Sequence, residues 1–254
     1  MPKLERLAHG TAKALRAVTG KVKYQKTSAV IVAAGSSSRM GGVDKQLLSI
    51  GGMPVIARTV KAFEDCPAIT EIILMTKKES VDKLTIICEK YGFKKVKKIA
   101  VGGDTRQESV SKGLLLIDDK SKFIAIHDGA RCLITPEQIE EVARVAHVYK
   151  AACAATRATD TVKFSEKGAF ISETLDREKV WLAQTPQIFN ADLYRAATYL
   201  AEEASFKATD DCMLAEHIKF NEVKLVECGK YNLKITTPDD VIIAEAILSS
   251  REKN

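Results

Sequence analysis

The sequence lacks any apolar stretch long enough to cross a lipid bilayer. Its longest uninterrupted apolar run covers residues 29–34, whereas a membrane-spanning helix needs about 20 apolar residues. The start of the chain also lacks the apolar segment that is typical of a secretory signal. We therefore expect no transmembrane helix, no secretory signal and no stable insertion into a membrane.

Motifs for zinc binding and dithiol chemistry are missing as well. The 254-residue chain has six cysteines without a C-x-x-C pair, and its four histidines are scattered, so no zinc site is predicted. An even number of cysteines in a long chain without a signal is typical of free thiols in a reducing compartment. We expect free cysteines, most of them in the core, and a cytoplasmic location.

The sequence also lacks excess charge outside one end of the chain. The net charge is +6, but residues 1–26 hold seven of the 39 Lys and Arg residues and one of the 33 acidic residues. From Thr27 onward, 32 basic residues therefore face 32 acidic ones. Formal neutrality weakens the argument for a domain-wide nucleic-acid surface, and we expect no nucleic-acid partner.

Residues 1–26 have the pattern of a basic amphipathic extension that precedes a domain at 27–254. Apolar residues such as Leu4, Leu7 and Leu15 recur at helical spacing, and Lys and Arg residues occupy the opposite side. The pattern fits a membrane-surface helix or an organelle-targeting presequence. A docked or frayed extension, or a start codon assigned too early, fits equally. We favour these latter interpretations, because short isolated helices are marginal in water and no serine precedes Ser28.

Strands and helices are predicted to alternate along the rest of the chain. Predicted strands at 28–34, 71–76, 95–101, 122–127 and 151–156 alternate with predicted helices at 54–63, 80–91, 106–117 and from 136 onward. This alternation predicts an α/β fold with a doubly wound, mostly parallel, Rossmann-like sheet. The alternation of strands and helices stops at Asp160. A hairpin is predicted next, with its turn around residues 166–168, and it forms either a contact with a partner or a solvated flap. Predicted helices at 191–203, 210–217 and 239–249 and a strand at 222–228 follow.

The segment after the first predicted strand, AAGSSSRMGG at residues 33–42, is the leading candidate for a binding loop. Ligands of parallel sheets bind beyond the carboxyl ends of the strands. Small residues let backbone N–H groups approach an anion closely, and Arg39 and Lys45 add positive charge. The pattern predicts a cradle for the phosphates of a nucleotide, the alternative being a Gly- and Ser-rich surface turn. It matches neither the Walker A motif nor G-x-G-x-x-G.

Two further predicted strands end in polar motifs, VGGDTRQES at residues 101–109 and HDGAR at residues 127–131. An aspartate at a strand end beside a phosphate cradle is a natural Mg²⁺ ligand, which makes Asp128 a candidate. The alternative is an aspartate that caps a helix or stabilises a turn. His127 is expected to pack or form hydrogen bonds there rather than to titrate in catalysis.

These motifs recur with others in one order along residues 28–249. The additional ones are DT at 160–161, TLDR at 174–177, QTPQ at 184–187, TDD at 209–211 and NLKIT at 232–236. The ordered set resembles the 2-C-methyl-D-erythritol 4-phosphate cytidylyltransferases of the non-mevalonate isoprenoid pathway. The first motif alone marks only the wider group of sugar nucleotidyltransferases.

The resemblance implies a reaction of CTP with the polyol phosphate, with Mg²⁺ or another divalent cation, in a homodimer whose hairpin arm, about residues 156–185, reaches the partner's site. Matching positions imply that Arg39 and Lys45 stabilise the triphosphate and that Asp128 lies near the metal and the substrates. They imply a cytidine and ribose site at Ala33, Ala34, Gly35, Gly103, Asp104 and Ser109. They imply an acceptor site at Arg131, Thr161, Arg177, Thr209 and Lys234, with Arg177 donated across the dimer.

The sequence departs from the family pattern at three positions. Asp44 precedes the loop lysine where the family usually has proline, Gly129 stands where alanine is common, and Cys132 stands where proline often follows the arginine. Three alternative functions stay open on the residues alone. They are a cytidylyltransferase for another acceptor such as ribitol 5-phosphate, a non-catalytic nucleotide-binding protein, and a nucleic-acid-binding protein that acts through its tail.

Overall fold

The computed structural model describes residues 24–35, 40, 44–219 and 222–252. The helix predicted within residues 1–26 therefore lies outside the described residues, except for the last three, and so does Arg39. Tyr24 and Lys26 contact the domain, since the Tyr24 hydroxyl donates to Glu140 and the Lys26 ammonium pairs with Asp118.

Strands and helices alternate through most of the described chain. The strands are β1 Thr27–Val32, β2 Ser49–Ile50, β3 Met53–Pro54, β4 Ile69–Thr76, β5 Val96–Val101, β6 Phe123–Asp128, β7 Ala151–Arg157, β8 Lys163–Phe164, β9 Glu173–Thr174, β10 Trp181–Asn190 and β11 Lys224–Glu227. The helices are α1 Val55–Asp65, α2 Val81–Tyr91, α3 Arg106–Leu114, α4 Pro136–Tyr149, α5 Ala191–Glu203, α6 Asp211–His217 and α7 Pro238–Glu252.

Seven strands form one sheet in the order β11-β7-β10-β6-β1-β4-β5. The pairs β1–β4, β1–β6, β4–β5 and β7–β11 are parallel, whereas β10 runs antiparallel to both β6 and β7. The predicted α/β fold with a mostly parallel sheet is confirmed. The sequence patterns do not predict β10, because its buried polar residues Gln184, Thr185 and Gln187 interrupt the apolar run expected of a central strand.

The core lies on both faces of the sheet. In the central strand β1, Ile31 packs into a cluster with Phe63 and Phe123 on one face, and Val30 packs with Ile73 and Tyr194 on the other. A strand that is buried on both faces has a continuous apolar sequence, which explains the run at residues 29–34. All six cysteines are buried and free, as predicted. None of the described helices is long and apolar enough to span a membrane.

The predicted hairpin is present between β7 and β10. Strands β8 and β9 pair antiparallel through Lys163 with Thr174 and through Phe164 with Glu173. The sheet pairing of β7 with β10 extends to Arg157 and Trp181, so the arm leaves the sheet beyond these two residues. Along the arm, Phe170 is 82% and Ile171 66% exposed.

The helix α4 begins and ends as its sequence indicates. Pro136 occupies the first turn, where its missing N–H has no helical partner. Thr135 accepts a hydrogen bond from the Gln138 backbone N–H, and the Gln138 side chain accepts one from the Thr135 N–H in return. Near its other end, His147 lies within 3.0 Å of the Thr27 hydroxyl and packs on the Phe123 ring. Burial first, and Lys150 second, lower the pKa of His147 from 6.5 to about 4.

We predict that His147 makes the fold sensitive to acid. Because its folded pKa lies below the unfolded value, the unfolded chain binds more protons between pH 6.5 and about 4. The free energy of unfolding should therefore fall as the pH drops through this window. A His147→Gln variant should lose less stability over the same window in urea unfolding, because His127 titrates alike in both proteins. Parallel losses in wild type and variant would contradict this assignment.

Candidate active site

A cavity of about 470 Å³ opens at the carboxyl ends of the central strands. Ala34 and Gly35 follow β1, Gly103 and Asp104 follow β5, and Asp128 ends β6. The motifs that are separate in the sequence therefore meet at one edge of the sheet, as parallel topology requires.

The predicted site residues divide into two groups by position. Lining the cavity are Ala34, Gly35, Lys45, Gly103, Asp104, Ser109, Asp128 and Lys234. The neighbouring Ala33 is buried, and its backbone N–H donates to Met75 O over 2.7 Å. Four other predicted residues do not line the cavity. Arg131 pairs with Asp128, Thr161 and Arg177 lie on the arm, and Thr209 precedes α6.

The glycine motif before α3 is packed too closely for side chains. A Cβ on Gly102 would lie 2.6 Å from Ser109 Oγ, and one on Gly103 would lie 2.3 Å from Glu108 Cβ. The Gly103 backbone N–H donates to Ser109 Oγ over 3.0 Å, and the Asp104 N–H donates to Glu108 Oε2 over 2.9 Å. Glycine thus lets this loop fold back onto the first turn of α3, with backbone exposed at the cavity wall.

The loop that carries Lys45 is tied to the start of α2 through Asp44. Asp44 Oδ1 accepts a hydrogen bond from the Gln46 N–H, and Asp44 Oδ2 accepts one from the Ser80 hydroxyl, each over 3.1 Å. Ser80 precedes α2 and makes no side-chain cap, while its hydroxyl donates to Asp44. The departure from proline at position 44 thus provides a side-chain link that proline could not form.

Three cations surround the carboxylate of Asp128. Arg106 Nε lies 3.0 Å from Oδ1, while Lys234 Nζ lies 2.9 Å and Arg131 Nε 3.6 Å from Oδ2. Burial opposes ionisation of this group, but Arg106, Lys234 and Arg131 together lower its pKa well below the ordinary value. Asp128 is therefore a carboxylate at neutral pH, and it pairs with three cationic side chains, of which Arg106 and Lys234 line the cavity.

These contacts do not favour Asp128 as a metal ligand. Both of its oxygens already face cations, and a divalent ion would have to displace them. Within the described part of the chain, no group of three or more His, Cys, Asp or Glu side chains could hold a metal ion. The assignment of Mg²⁺ to Asp128 stays a prediction that the geometry does not support.

A buried polar network lies beneath the three cations. The Thr185 hydroxyl lies 3.0 Å from His127 Nδ1 and accepts the Asp128 backbone N–H over 3.0 Å. Asn232 Nδ2 donates to Gln184 Oε1 and to Thr185 O over 2.9 Å each, and Asn232 O accepts from Arg131 Nη1 over 2.8 Å. The network joins three sequence motifs into the support of Asp128 and Arg131.

His127 belongs to this network and is held neutral. Its Nε2 faces Arg131 O over 3.2 Å, its ring packs on Phe63, and burial lowers its pKa to about 3. The prediction that His127 packs and forms hydrogen bonds is confirmed.

Three charged residues at the cavity are absent from the predicted site. Lys77 and Glu79 follow β4, and Arg106 begins α3. Arg106 lies inside the GGDTRQES motif, and Lys77 comes directly after an apolar strand. Because ligands bind beyond strand ends, the positions of these residues at the ends of strands or helices could have indicated that they line the cavity.

The other two departures from the family pattern fit their surroundings. A Cβ on Gly129 would lie 3.0 Å from Gln46 Oε1 and 3.1 Å from Val32 O, so alanine would be tight here. Cys132 is buried with Leu133 and Ile235 in a cluster that packs against α7. Both departures thus concern packing beneath the cavity.

These features define an α/β protein that offers a phosphorylated ligand a glycine-lined cavity with four cationic side chains, beyond the ends of its strands, as nucleotidyltransferases do. Residues 27–250 match the model of the family IspD, 2-C-methyl-D-erythritol 4-phosphate cytidylyltransferase. The chain belongs to this family.

Individual relatives agree with the family match. The 2-C-methyl-D-erythritol 4-phosphate cytidylyltransferase of Caldanaerobacter subterraneus subsp. tengcongensis is 44% identical over 87% of this chain and 98% of its own. The crystal structure of 4-diphosphocytidyl-2C-methyl-D-erythritol synthase from Anaerococcus prevotii is 33% identical, with a TM-score of 0.81 over 89% of this chain and 96% of its own. The crystal structure of the Thermus thermophilus 2-C-methyl-D-erythritol 4-phosphate cytidylyltransferase is 28% identical, with a TM-score of 0.71 over 88% and 98%.

Proposed function

We propose that this chain transfers the cytidylyl group of CTP to 2-C-methyl-D-erythritol 4-phosphate, in isoprenoid precursor biosynthesis. The products are 4-diphosphocytidyl-2-C-methyl-D-erythritol and pyrophosphate. The observation that carries the proposal is the meeting, in one cavity, of the glycine motifs after β1 and β5 with Asp128 and Lys234. Membership of the family supports the choice of both substrates.

The acceptor needs no general base, because it is a phosphate monoester. Its second pKa is about 6, so it is mostly a dianion at neutral pH and attacks the α-phosphorus of CTP directly. As the new P–O bond forms, the bond to pyrophosphate breaks and the leaving group takes the electron pair. The neutral, buried His127 fits this scheme, since no side chain has to accept a proton.

Electrostatic repulsion is the main obstacle to this reaction, because both reactants are anions. We assign Lys45 and Arg39 to the triphosphate and its developing charge. Arg131 and Lys234, which both pair with Asp128, are assigned to the acceptor phosphate. The cytidine and ribose are assigned to the small residues and backbone groups of the two glycine motifs, at Ala33, Ala34, Gly35, Gly103, Asp104 and Ser109.

The acceptor site is completed, in this proposal, by the arm of a second subunit. Thr161 and Arg177 do not line their own subunit's cavity, and Arg177 Nη1 donates to Thr159 O within the arm. The arm exposes Phe164, Phe170 and Ile171, and a cluster of exposed apolar side chains is typical of a contact surface. A homodimer would bury these residues and bring Arg177 to the partner's acceptor. Thr209, which does not line its own subunit's cavity either, is also assigned to the acceptor.

The proposal also includes a divalent cation, such as Mg²⁺, and a cytoplasmic location. No described carboxylate cluster fits the cation, so it is assigned no protein ligand. The six free cysteines support a reducing compartment.

A pyrophosphate-release assay that crosses four nucleotides with several polyol phosphates tests the function. We expect turnover with CTP and 2-C-methyl-D-erythritol 4-phosphate in the presence of Mg²⁺, and much lower kcat/KM with ribitol 5-phosphate or with ATP, GTP or UTP. A preference for ribitol 5-phosphate would overturn the assigned acceptor. Nucleotide binding without release of pyrophosphate from any pair would overturn the enzymatic function.

Mixing two inactive variants tests whether Arg177 acts across the dimer. Lys45→Ala should lose about 10²–10³ in kcat, because it removes a contact to the charge of the transition state. Arg177→Ala should lose turnover through the acceptor site. An equimolar mixture should regain about a quarter of wild-type activity, since half of the dimers are hybrids with one intact site. Differently tagged subunits verify that hybrids form, and hybrids without recovered activity would exclude action in trans.

A further inference from the structure

Arg106 bridges two carboxylates, only one of which belongs to the proposed site. Its Nε donates to Asp128 Oδ1 over 3.0 Å, and its Nη2 donates to Asp211 Oδ2 over 2.7 Å. Arg106 itself lines the cavity, and it joins the helix that follows the second glycine motif to Asp128, the partner of the acceptor cations.

Asp211 and Tyr194 do not line the cavity. Each is 1% exposed. The Tyr194 hydroxyl donates to Asp211 Oδ1 over 2.6 Å. The Tyr194 ring stacks on Phe189 of β10 with a centroid separation of 4.8 Å. A buried carboxylate is stable only when its oxygens are paired, and here one oxygen is paired with tyrosine and the other with arginine.

The chain from Tyr194 through Asp211 to Arg106 reaches the acceptor cations through Asp128. With Arg106 on Oδ1, the Asp128 carboxylate presents Oδ2 to Lys234 and Arg131. Arginine suits this bridge because its planar guanidinium can serve two carboxylates at once, which a lysine ammonium on a flexible stem does poorly.

We propose that Asp211 and Tyr194 are positioning residues for the cytidylyl transfer. They hold Arg106 against Asp128 and thereby fix Lys234 and Arg131 for the acceptor phosphate. Neither residue touches a substrate in this proposal. The inference rests on the proposed function, since it concerns the acceptor side of the same cavity.

Steady-state kinetics of Asp211→Asn tests the inference. The variant removes the charge that anchors Arg106. We expect kcat/KM for 2-C-methyl-D-erythritol 4-phosphate to fall roughly 10- to 100-fold, because small misplacements of binding groups cause losses of this size. KM for CTP should stay within about twofold of wild type, because the groups assigned to the nucleotide are untouched. Tyr194→Phe should show the same pattern more weakly, because it removes one hydrogen bond and keeps the ion pair.

A control separates this effect from a general loss of charge. Asp65→Asn also removes one carboxylate from an ion pair, with Lys61 at 2.7 Å, but on the exposed surface, and it should leave both KM values unchanged. Thermal unfolding of every variant checks folding. If Asp211→Asn does not fold, Tyr194→Phe carries the test alone.

A double-mutant cycle shows whether Asp211 acts through Arg106. Arg106→Gln should lower kcat/KM for the acceptor, and adding Asp211→Asn to it should lower that value no further. Additive losses, or an equal rise of both KM values in Asp211→Asn and Tyr194→Phe, would overturn the inference. Failure of the wild-type protein to release pyrophosphate would instead overturn the proposed function, so the two failures are distinguishable.

Discussion

The Asp128 carboxylate and its three cationic neighbours form the interaction on which the rest of the site depends. Asp128 is 8% exposed, and a buried charge destabilises a fold unless partners compensate it. Arg106, Arg131 and Lys234 supply that compensation from three separate segments of the chain. The same pairing that stabilises the buried carboxylate also holds Arg106 and Lys234 in the wall of the cavity, so the stability of the fold and the geometry of the site are coupled.

The described lining of the cavity holds a small excess of positive charge in a domain that is formally neutral, because four cationic side chains accompany the three carboxylates of Glu79, Asp104 and Asp128. Lys45, Lys77 and Lys234 line it together with Arg106, although residues from Thr27 onward carry equal numbers of acids and bases. Local charge of this kind attracts phosphates without making the whole surface basic. It also matches the proposed reaction, in which two anionic substrates have to approach each other before any bond forms.

The sequence predicts the fold well where one interaction dominates, and less well where tertiary contacts decide. The apolar run of β1 and the glycines after β1 and β5 indicate both the sheet and its binding edge, because buried parallel strands and close backbone approach restrict residue type strongly. Strand β10 is not predictable in this way, since Gln184 and Thr185 are buried only through partners on other segments. Arg106 is missed for the same reason: its partner Asp211 lies 105 residues away.

The role of the cations around Asp128 can be seen in a crystal structure of the Lys45→Ala variant with CTP, Mg²⁺ and 2-C-methyl-D-erythritol 4-phosphate bound. We expect the acceptor phosphate within hydrogen-bond distance of Lys234 and Arg131 while Arg106 still bridges Asp128 and Asp211. We also expect the nucleotide to follow the backbone at Gly35 and Gly103. An acceptor phosphate bound elsewhere, with Lys234 and Arg131 paired only with Asp128, would contradict this role.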